Sequence, residues 1–337
     1  MAWYDQAGNR SDTVLSSRVR LARNLEGYPF DPYLSAEKAD EIIQKIAPLF
    51  EKGGFERIDF TAVAPAKAGM LLEKHYVSRD FVSKKTPHTL MLNESMGLAV
   101  MLCEEDHVRI QSILPGLSLD EAFRNACAVD DFLSGEARIA YSDTLGYLTH
   151  CPTNLGTAMR ASVMMFLPAL TMAGKIDSLA SNLSKIGLTM RGFYGEGTRA
   201  QGTLYQISNQ ITLGLTEEDI LSKLSEAVKQ ITESEQELRG LITPEKNPQI
   251  VDKIGRAEGI LRHAYLLSSE ELLSYYSDVR LGIALGLVEN MEYQTLDTLL
   301  IEMMPHNLTY SEQGADINER VHDLLRAKRV RETLSKT

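Results

Sequence analysis

Cys151 opens the stretch CPTNLGTAMRAS, residues 151 to 162, where a thiol, a Pro-Thr-Asn-Leu-Gly turn and the cation Arg160 follow one another. A cysteine there is either a small apolar filler or a thiolate favoured by neighbouring arginines, and the residue types alone leave both readings open. Two carboxylates join it as candidates, Glu105 in CEEDH and Glu196 in YGEG, each expected where a strand ends in a turn. Such a pair could straddle a guanidinium, orient it by charge-assisted hydrogen bonds and accept its proton. Taken singly, each reads first as a solvated acid.

Arginine supplies the opposite charge. Arg18 and Arg20 in SSRVR, Arg109 in EEDHVR, Arg160, and Arg191 in MRGFYGEG all sit in compact motifs beside turns or strand ends. A guanidinium fork pairs bidentately with phosphate oxygens, so several converging from different segments would hold a triphosphate. If the chain handles phosphate it must do so by some such route, because it has no G-x-x-x-x-G-K-[ST] loop, and RGFYGEGTRAQG lacks a βαβ context. Single surface arginines are common, but Arg18 and Arg20 would share one face of an extended segment. His75 and His107 lack metal-ligand spacing and read as satisfied structural residues, and no metal site is expected.

The elements that must carry these groups are legible in part. Residues 1 to about 30 read as polar, with an arginine cluster. AEKADEIIQKIAPLF (36 to 50) has helical spacing and ends near Gly53-Gly54. RIDFTAV, HTLMLN, LAVMLC and VRIQSIL are short β-prone pieces bounded by turn residues, which points to an antiparallel sheet. A helix is expected over 119 to 134, then a loop-rich stretch holding Cys151, with a helix beginning near Gly156 to deliver Arg160. SVMMFLPAL reads as a buried helix, and IGLTMRGFYGEG and LYQISNQITLG as further strands. Thr216 and Ser268 open helices with capping boxes. A glycine and two prolines in GLITPEKNPQI put a boundary near 245, and everything beyond it reads as helical.

Composition bounds the function. The 337 residues are 44% hydrophobic and 24% charged, an ordinary globular balance, with a net charge of -11. That acidity argues against nucleic acid or an anionic membrane as partner. The start has no signal-peptide core, the longest apolar run is too short for a bilayer, and a cytoplasmic protein is the expectation. Cys103, Cys127 and Cys151 form no CxxC pair and are expected as free thiols.

Taken together and in this order, VLSSRVRLARN, CEEDHVRIQ, CPTNLGTAMRASV and RGFYGEG resemble the phosphagen (guanidino) kinases, the superfamily of creatine and arginine kinases. RGFYGEG followed by LYQISNQITLG, and SDVRLGIALGLV in the tail, resemble its McsB-type protein arginine kinases over nearly the whole chain. The resemblance implies an α+β fold: an antiparallel sheet flanked by helices over residues 1–244, then an all-helical domain over 245–337 serving dimerisation and phosphoarginine sensing. It implies ATP and Mg²⁺, with Arg18, Arg20, Arg109, Arg160 and Arg191 on the phosphates. The nucleotide site would be lined by Ser16, Ser17 and Val19, by Ala161, Ser162, Val163 and Met164, by Gly192, Phe193, Tyr194, Gly195 and Glu196, and by His75. Glu105 would be the catalytic base, Glu196 the second carboxylate of the clamp, and Cys151 a thiolate against the substrate guanidinium.

The chain departs from that pattern in three places. Small-molecule guanidino kinases carry a helical domain ahead of the SSRVR-like motif, whereas fifteen residues precede Ser16 here, which favours an arginine within a polypeptide as acceptor. Met164 stands where creatine and arginine kinases often have histidine. HDLLRA (322 to 327) has His322 at the first position of the R-D-x-x-R-A motif tied to phosphoarginine binding, leaving Asp323 and Arg326 as candidates, with a plain amphipathic helix as the equal alternative. The resemblance further implies arginine-bearing protein substrates, an McsA-like activator, a CtsR-like repressor, Clp protease components and a homodimer. A small-molecule guanidino kinase and a catalytically silent ATP- or phosphoarginine-binding adaptor are the alternatives.

Overall fold

Strand β1 (Val14–Arg23) is the segment SSRVRLAR and its flanks, and it runs through the middle of the molecule. The computed structural model describes residues 2–31, 33–192, 201–314 and 317–336, without the side chain of Gln201. Helix α1 (Ala36–Lys52) follows, capped by Ser35, whose side chain accepts from Lys38 N. Then come β2 (Glu56–Asp59), α2 (Pro65–Glu73), α3 (Arg79–Ser83), β3 (Thr89–Asn93), β4 (Leu98–Leu102), β5 (Val108–Pro115) and α4 (Leu119–Glu136). A small hairpin, β6 (Tyr141–Ser142) with β7 (Gly146–Tyr147), precedes β8 (Met159–Phe166), α5 (Pro168–Met172), α6 (Ile176–Lys185), β9 (Leu188–Gly192), β10 (Leu204–Asn209) and α7 (Glu217–Arg239). Helices α8 (Pro248–His263), α9 (Ser269–Ala284), α10 (Tyr293–Glu302), α11 (Pro305–Ser311) and α12 (Glu319–Leu334) complete the chain.

Among the described residues eight strands form one sheet in the order β2-β3-β4-β5-β1-β8-β10-β9, each pair antiparallel. Helices α1, α4, α6 and α7 cover one face, sharing a core with Val19, Leu21, Ala161 and Val163. The other face shares its core with residues 2–4, α2, α3 and the C-terminal helices, from Leu90, Met101 and Phe166 through to Tyr276, Leu300 and Val330. Helix α11 packs on α2 so closely that a Cβ on Gly69 would lie 2.3 Å from the His306 ring, and Glu73 caps α11 by accepting from His306 N and Asn307 N at 3.0 and 2.8 Å. The expected sheet flanked by helices and followed by helices is what the chain forms. Both capping boxes are present, Thr216 with Asp219 and Ser268 with Glu271. No helix among the described residues is long and apolar enough to cross a membrane.

Three expectations are corrected. RASVMMF is strand β8, not a helix: lying between β1 and β10 and covered on both faces, it is apolar without alternation, and periodicity cannot separate such a run from a buried helix. Arg160 is therefore delivered by a strand, and no helix starts near Gly156. The segment read only as polar with an arginine cluster is largely buried and holds the central strand β1.

Candidate active site

Register gathers the arginines. Residues directly opposite in an antiparallel pair share a face, and β1 pairs Arg18 with Ser162, Arg20 with Arg160 and Ser16 with Met164 on β8. On its other side Ala22 opposes Arg109 and Arg20 opposes Gln111 of β5. Gln206 of β10 opposes both Met164 and Arg191. All five arginines therefore project from one face, the side that the C-terminal helices partly cover. Burial, then the charges of Arg160 and Arg109, pull the Arg18 guanidinium down to about 10. Arg20 is depressed further by burial and by Arg18, Arg109 and Arg160, and its Nε is buried without a hydrogen-bond partner among the described residues. Arg18 donates to Gln206 Oε1 at 3.1 Å and Arg160 to Ser208 Oγ at 3.2 Å. So many cations on one face suit a polyanionic ligand.

Glu105 sits in the loop joining β4 to β5. Cys103 turns the chain there with φ 59, a left-handed conformation, and its N–H donates to His107 O at 2.8 Å. Asp106, one residue after Glu105, accepts from Asn24 Nδ2 at 2.7 Å and from the backbone N–H of His150 at 2.8 Å. His107 accepts from Leu25 N at Nδ1, so its Nε2 carries the proton donated to Pro29 O. Glu104 is buried: burial works against its charge, but Arg109, Ser78 and the N–H of Glu105 hold its carboxyl below the usual range. Arg109 is clasped by both acids, 2.6 Å from Glu104 Oε2 and 2.9 Å from Glu105 Oε2.

Cys151 opens a tight 3₁₀ turn over Pro152–Asn154, its Sγ 2.9 Å from Thr153 Oγ1. Thr149 Oγ1 donates to Cys151 O at 2.9 Å, and Thr212 Oγ1 lies within hydrogen-bonding distance of the carbonyls of Thr153 and Leu155. Backbones touch where the loop meets the β6–β7 hairpin: a Cβ on Gly146 would fall 2.3 Å from Gly156 O. The loop is thus held from three sides, and it faces the Glu105 loop across a cavity of about 230 Å³ lined by Glu105, Arg109, Cys151, Asn154, Arg20 and Arg160. Arg20 and Arg160 also line a second cavity of about 620 Å³, together with Arg18, Arg191, Gly192 and His75; Leu273, Met304 and His306 of the C-terminal helices form its far wall. Ser16, Ser162, Met164 and Gln206 meet Arg18 and His75 at an inner cleft. Burial and the charge of Arg18 drop His75 to about 3, so its ring is neutral.

Four residues expected at the nucleotide site are turned away. Ser17, Val19, Ala161 and Val163 alternate with the cavity-facing residues; the last three pack in the opposite core, and Ser17 Oγ donates to Gly116 O. Phe193, Tyr194, Gly195 and Glu196 lie outside the described residues. Asp323 and Arg326 line none of these cavities: Arg326 is buried, bonded to Asp323 Oδ1, Leu267 O and Met303 O, while His322 Nε2 lies 2.9 Å from Thr309 Oγ1. Sequence reasoning overlooked Glu104, Asp106 and Gln206. The adjacency of three acids in EEDH was the available signal for the first two, whereas Gln206 becomes visible only through strand register.

Comparison with known proteins fits this geometry. Residues 37–238 match the family described as ATP:guanido phosphotransferase, C-terminal catalytic domain, and residues 247–337 match the protein-arginine kinase McsB C-terminal domain. The duplicated taurocyamine kinase from Schistosoma mansoni with bound transition state analog components is similar at 26% identity and TM-score 0.60, over 77% of this chain and 40% of that one. Lombricine kinase shares the fold at 23% identity and TM-score 0.60, over 72% of each chain. The chain belongs to the ATP:guanido phosphotransferase family and is an enzyme of that class. A protein-arginine kinase of Syntrophomonas wolfei is 42% identical over 99% of this chain and 95% of its own length, and one of Geobacillus stearothermophilus is 40% identical over 99% and 93%. These relatives put the chain on the protein-arginine kinase branch of the family.

Proposed function

We propose that this enzyme transfers the γ-phosphate of ATP to arginine side chains of proteins. The observation that carries the reading is that Glu105 already holds a guanidinium, that of Arg109 at 2.9 Å, inside a cavity it shares with Cys151 and with two arginines of the phosphate-sized cradle. Strand β1 is the ruler: from Ala22 at the outer cavity to Ser16 at the inner cleft is six residues, about 20 Å at roughly 3.3 Å each. That span suits an extended nucleoside triphosphate with its acceptor.

In this reading a substrate guanidinium takes Arg109's place at Glu105, beside the Cys151 sulfur, and the family resemblance would add Glu196 as the second carboxylate of the clamp. A guanidinium is a poor nucleophile because its lone pairs are delocalised. Glu105 accepts a proton from the terminal nitrogen as that nitrogen attacks the γ-phosphorus; the N–P bond forms, the β–γ bridging P–O bond breaks, and ADP leaves with the electron pair. Arg18, Arg20, Arg160 and Arg191, joined by the freed Arg109, hold the phosphate oxygens, so positioning and electrostatics carry the catalysis. The smaller cavity is lined by one carboxylate, Glu105, so Mg²⁺ there would be held mainly by the phosphates, whose charge it would offset. Arg326 and Asp323 could sense phosphoarginine only after their mutual pair opens.

The family resemblance supports extending the reading to a cytoplasmic homodimer that marks proteins for Clp-type proteolysis and acts on a CtsR-like stress repressor with an McsA-like activator. The catalytic reading is tested by incubating the enzyme with γ-labelled ATP and Mg²⁺ and offering an unstructured polypeptide or free arginine. Acid-labile label on the polypeptide alone supports it. Label on free arginine makes the protein a small-molecule guanidino kinase, and nucleotide binding with no transfer makes it an adaptor.

A further inference from the structure

The N-terminal segment, read from sequence as a polar lead-in, is threaded between the sheet and the C-terminal helices. Ala2, Trp3 and Tyr4 are buried in the core those two share. Tyr4 O accepts from Thr298 Oγ1 of α10 at 3.3 Å, Ser11 O accepts from the buried Arg280 of α9, and Asp12 O accepts from Arg239 of α7 at 3.0 Å. Tied down along its length, the segment sets Trp3, the chain's single tryptophan, at the inner cleft beside Ser16, Arg18, His75, Met164 and Gln206.

Trp3 acts there on a strained turn. His75 has φ 62, a left-handed conformation that a side chain bearing a Cβ adopts only when its surroundings impose it. Both carbonyls of the turn are taken: the Trp3 indole N–H donates to Lys74 O at 3.0 Å, and Gln111 Nε2 donates to His75 O at 2.7 Å. The indole and imidazole rings stand 6.0 Å apart. If phosphate is transferred at the outer cavity and the phosphates lie along the arginines, the uncharged end of the nucleotide falls here, where Arg18 is the last cation and the lining turns to indole, thioether and imidazole. The cleft, about 20 Å³, is too small for a base, so Trp3 forms its floor and acts through His75, which also lines the large cavity.

We propose that Trp3 is a positioning residue of the nucleotide site, fixing the Lys74–His75 turn against which the nucleoside end of ATP rests. The inference depends on the nucleotide reading above. In Trp3→Phe the aromatic packing stays and the indole donor is lost. The KM for ATP should rise about tenfold with kcat within twofold, while Val330→Ala, a buried change in the same core that touches neither the cavity nor the turn, leaves KM unaltered. A merely structural role would instead lower the active fraction and kcat at constant KM, and that result overturns the proposal. Should the Phe variant not fold, wild-type tryptophan emission decides. ADP should change it and inorganic tripolyphosphate should not, with calorimetry run in parallel. ADP bound by calorimetry but silent in emission defeats the proposal alone, whereas no ADP binding defeats the nucleotide reading and this inference with it.

Discussion

The carboxylate of Asp106, the residue after Glu105, accepts a hydrogen bond from the backbone N–H of His150, the residue before Cys151. Base and thiol are thus carried by two loops that one buried acid locks together. Asp106→Ala leaves Asn24 Nδ2 and His150 N–H short of an acceptor, which should cost about 1–3 kcal/mol of stability. It should also lower kcat by about 100-fold through misplacement, at nearly constant KM for ATP. Asp106→Asn, which keeps an acceptor oxygen, should recover much of the rate. Steady-state kinetics with thermal melts check this, and a fully active Ala variant would show that the two loops hold their own positions.

Arg20 faces Arg160 directly across β1 and β8, a like-charge pair that opposes folding until an anion arrives. ATP or tripolyphosphate should therefore raise the melting temperature; at a hundredfold excess over Kd the gain is about 2.7 kcal/mol. Arg160→Ala should melt no lower than wild type without ligand, yet lose most of the nucleotide-induced shift. A shift of undiminished size would remove Arg160 from the cradle.

Glu105 and Cys151 should separate kinetically. Glu105→Gln should lower transfer by about 10²–10⁴-fold, the usual contribution of a general base, with ADP affinity nearly unchanged. Cys151→Ser should slow transfer less completely. Rapid-quench measurement of label transfer distinguishes them, and full activity in Cys151→Ser would return the thiol to a packing role.

Stability should fall with acid because His75 is held neutral, its folded pKa near 3 lying below the ordinary 6.5. Between those values the unfolded chain binds the extra proton, so the histidine's contribution is complete above about pH 6.5 and is lost as pH falls toward 3. His88 and His107, also depressed by burial, act in the same direction. His75→Asn, which tolerates the left-handed backbone, should make this decline shallower by about one proton, or about 1.4 kcal/mol per pH unit. An unchanged slope in urea titrations from pH 4 to 7 would show that His75 takes up its proton in the folded state.

Much of this was legible in the chain. Alternation placed Arg18 and Arg20 on one face, capping boxes placed α7 and α9, and EEDH marked the loop that carries Glu105. What local pattern could not convey was whether a neighbour covers both faces of a strand, so β8 looked helical and β1 looked merely polar. Nor could it say which residues of SSRVR and RASVM face the cavity: with one register in hand, Ser17, Val19, Ala161 and Val163 turn away together, as a period of two requires. The role of residues 2–12 depended on where helices some 270 positions later come to lie, as with Ser11 O and Arg280, and no local rule contains that.

The most direct test offers γ-labelled ATP and Mg²⁺ with one unstructured polypeptide in two versions, one bearing arginines and one with every arginine changed to lysine. The enzyme should place acid-labile phosphate, one N–P bond per label, on the arginine version only, and Glu105→Gln should place almost none. Acid-stable label, or equal label on the lysine version, would contradict phosphoryl transfer to arginine in the Glu105–Cys151 cavity.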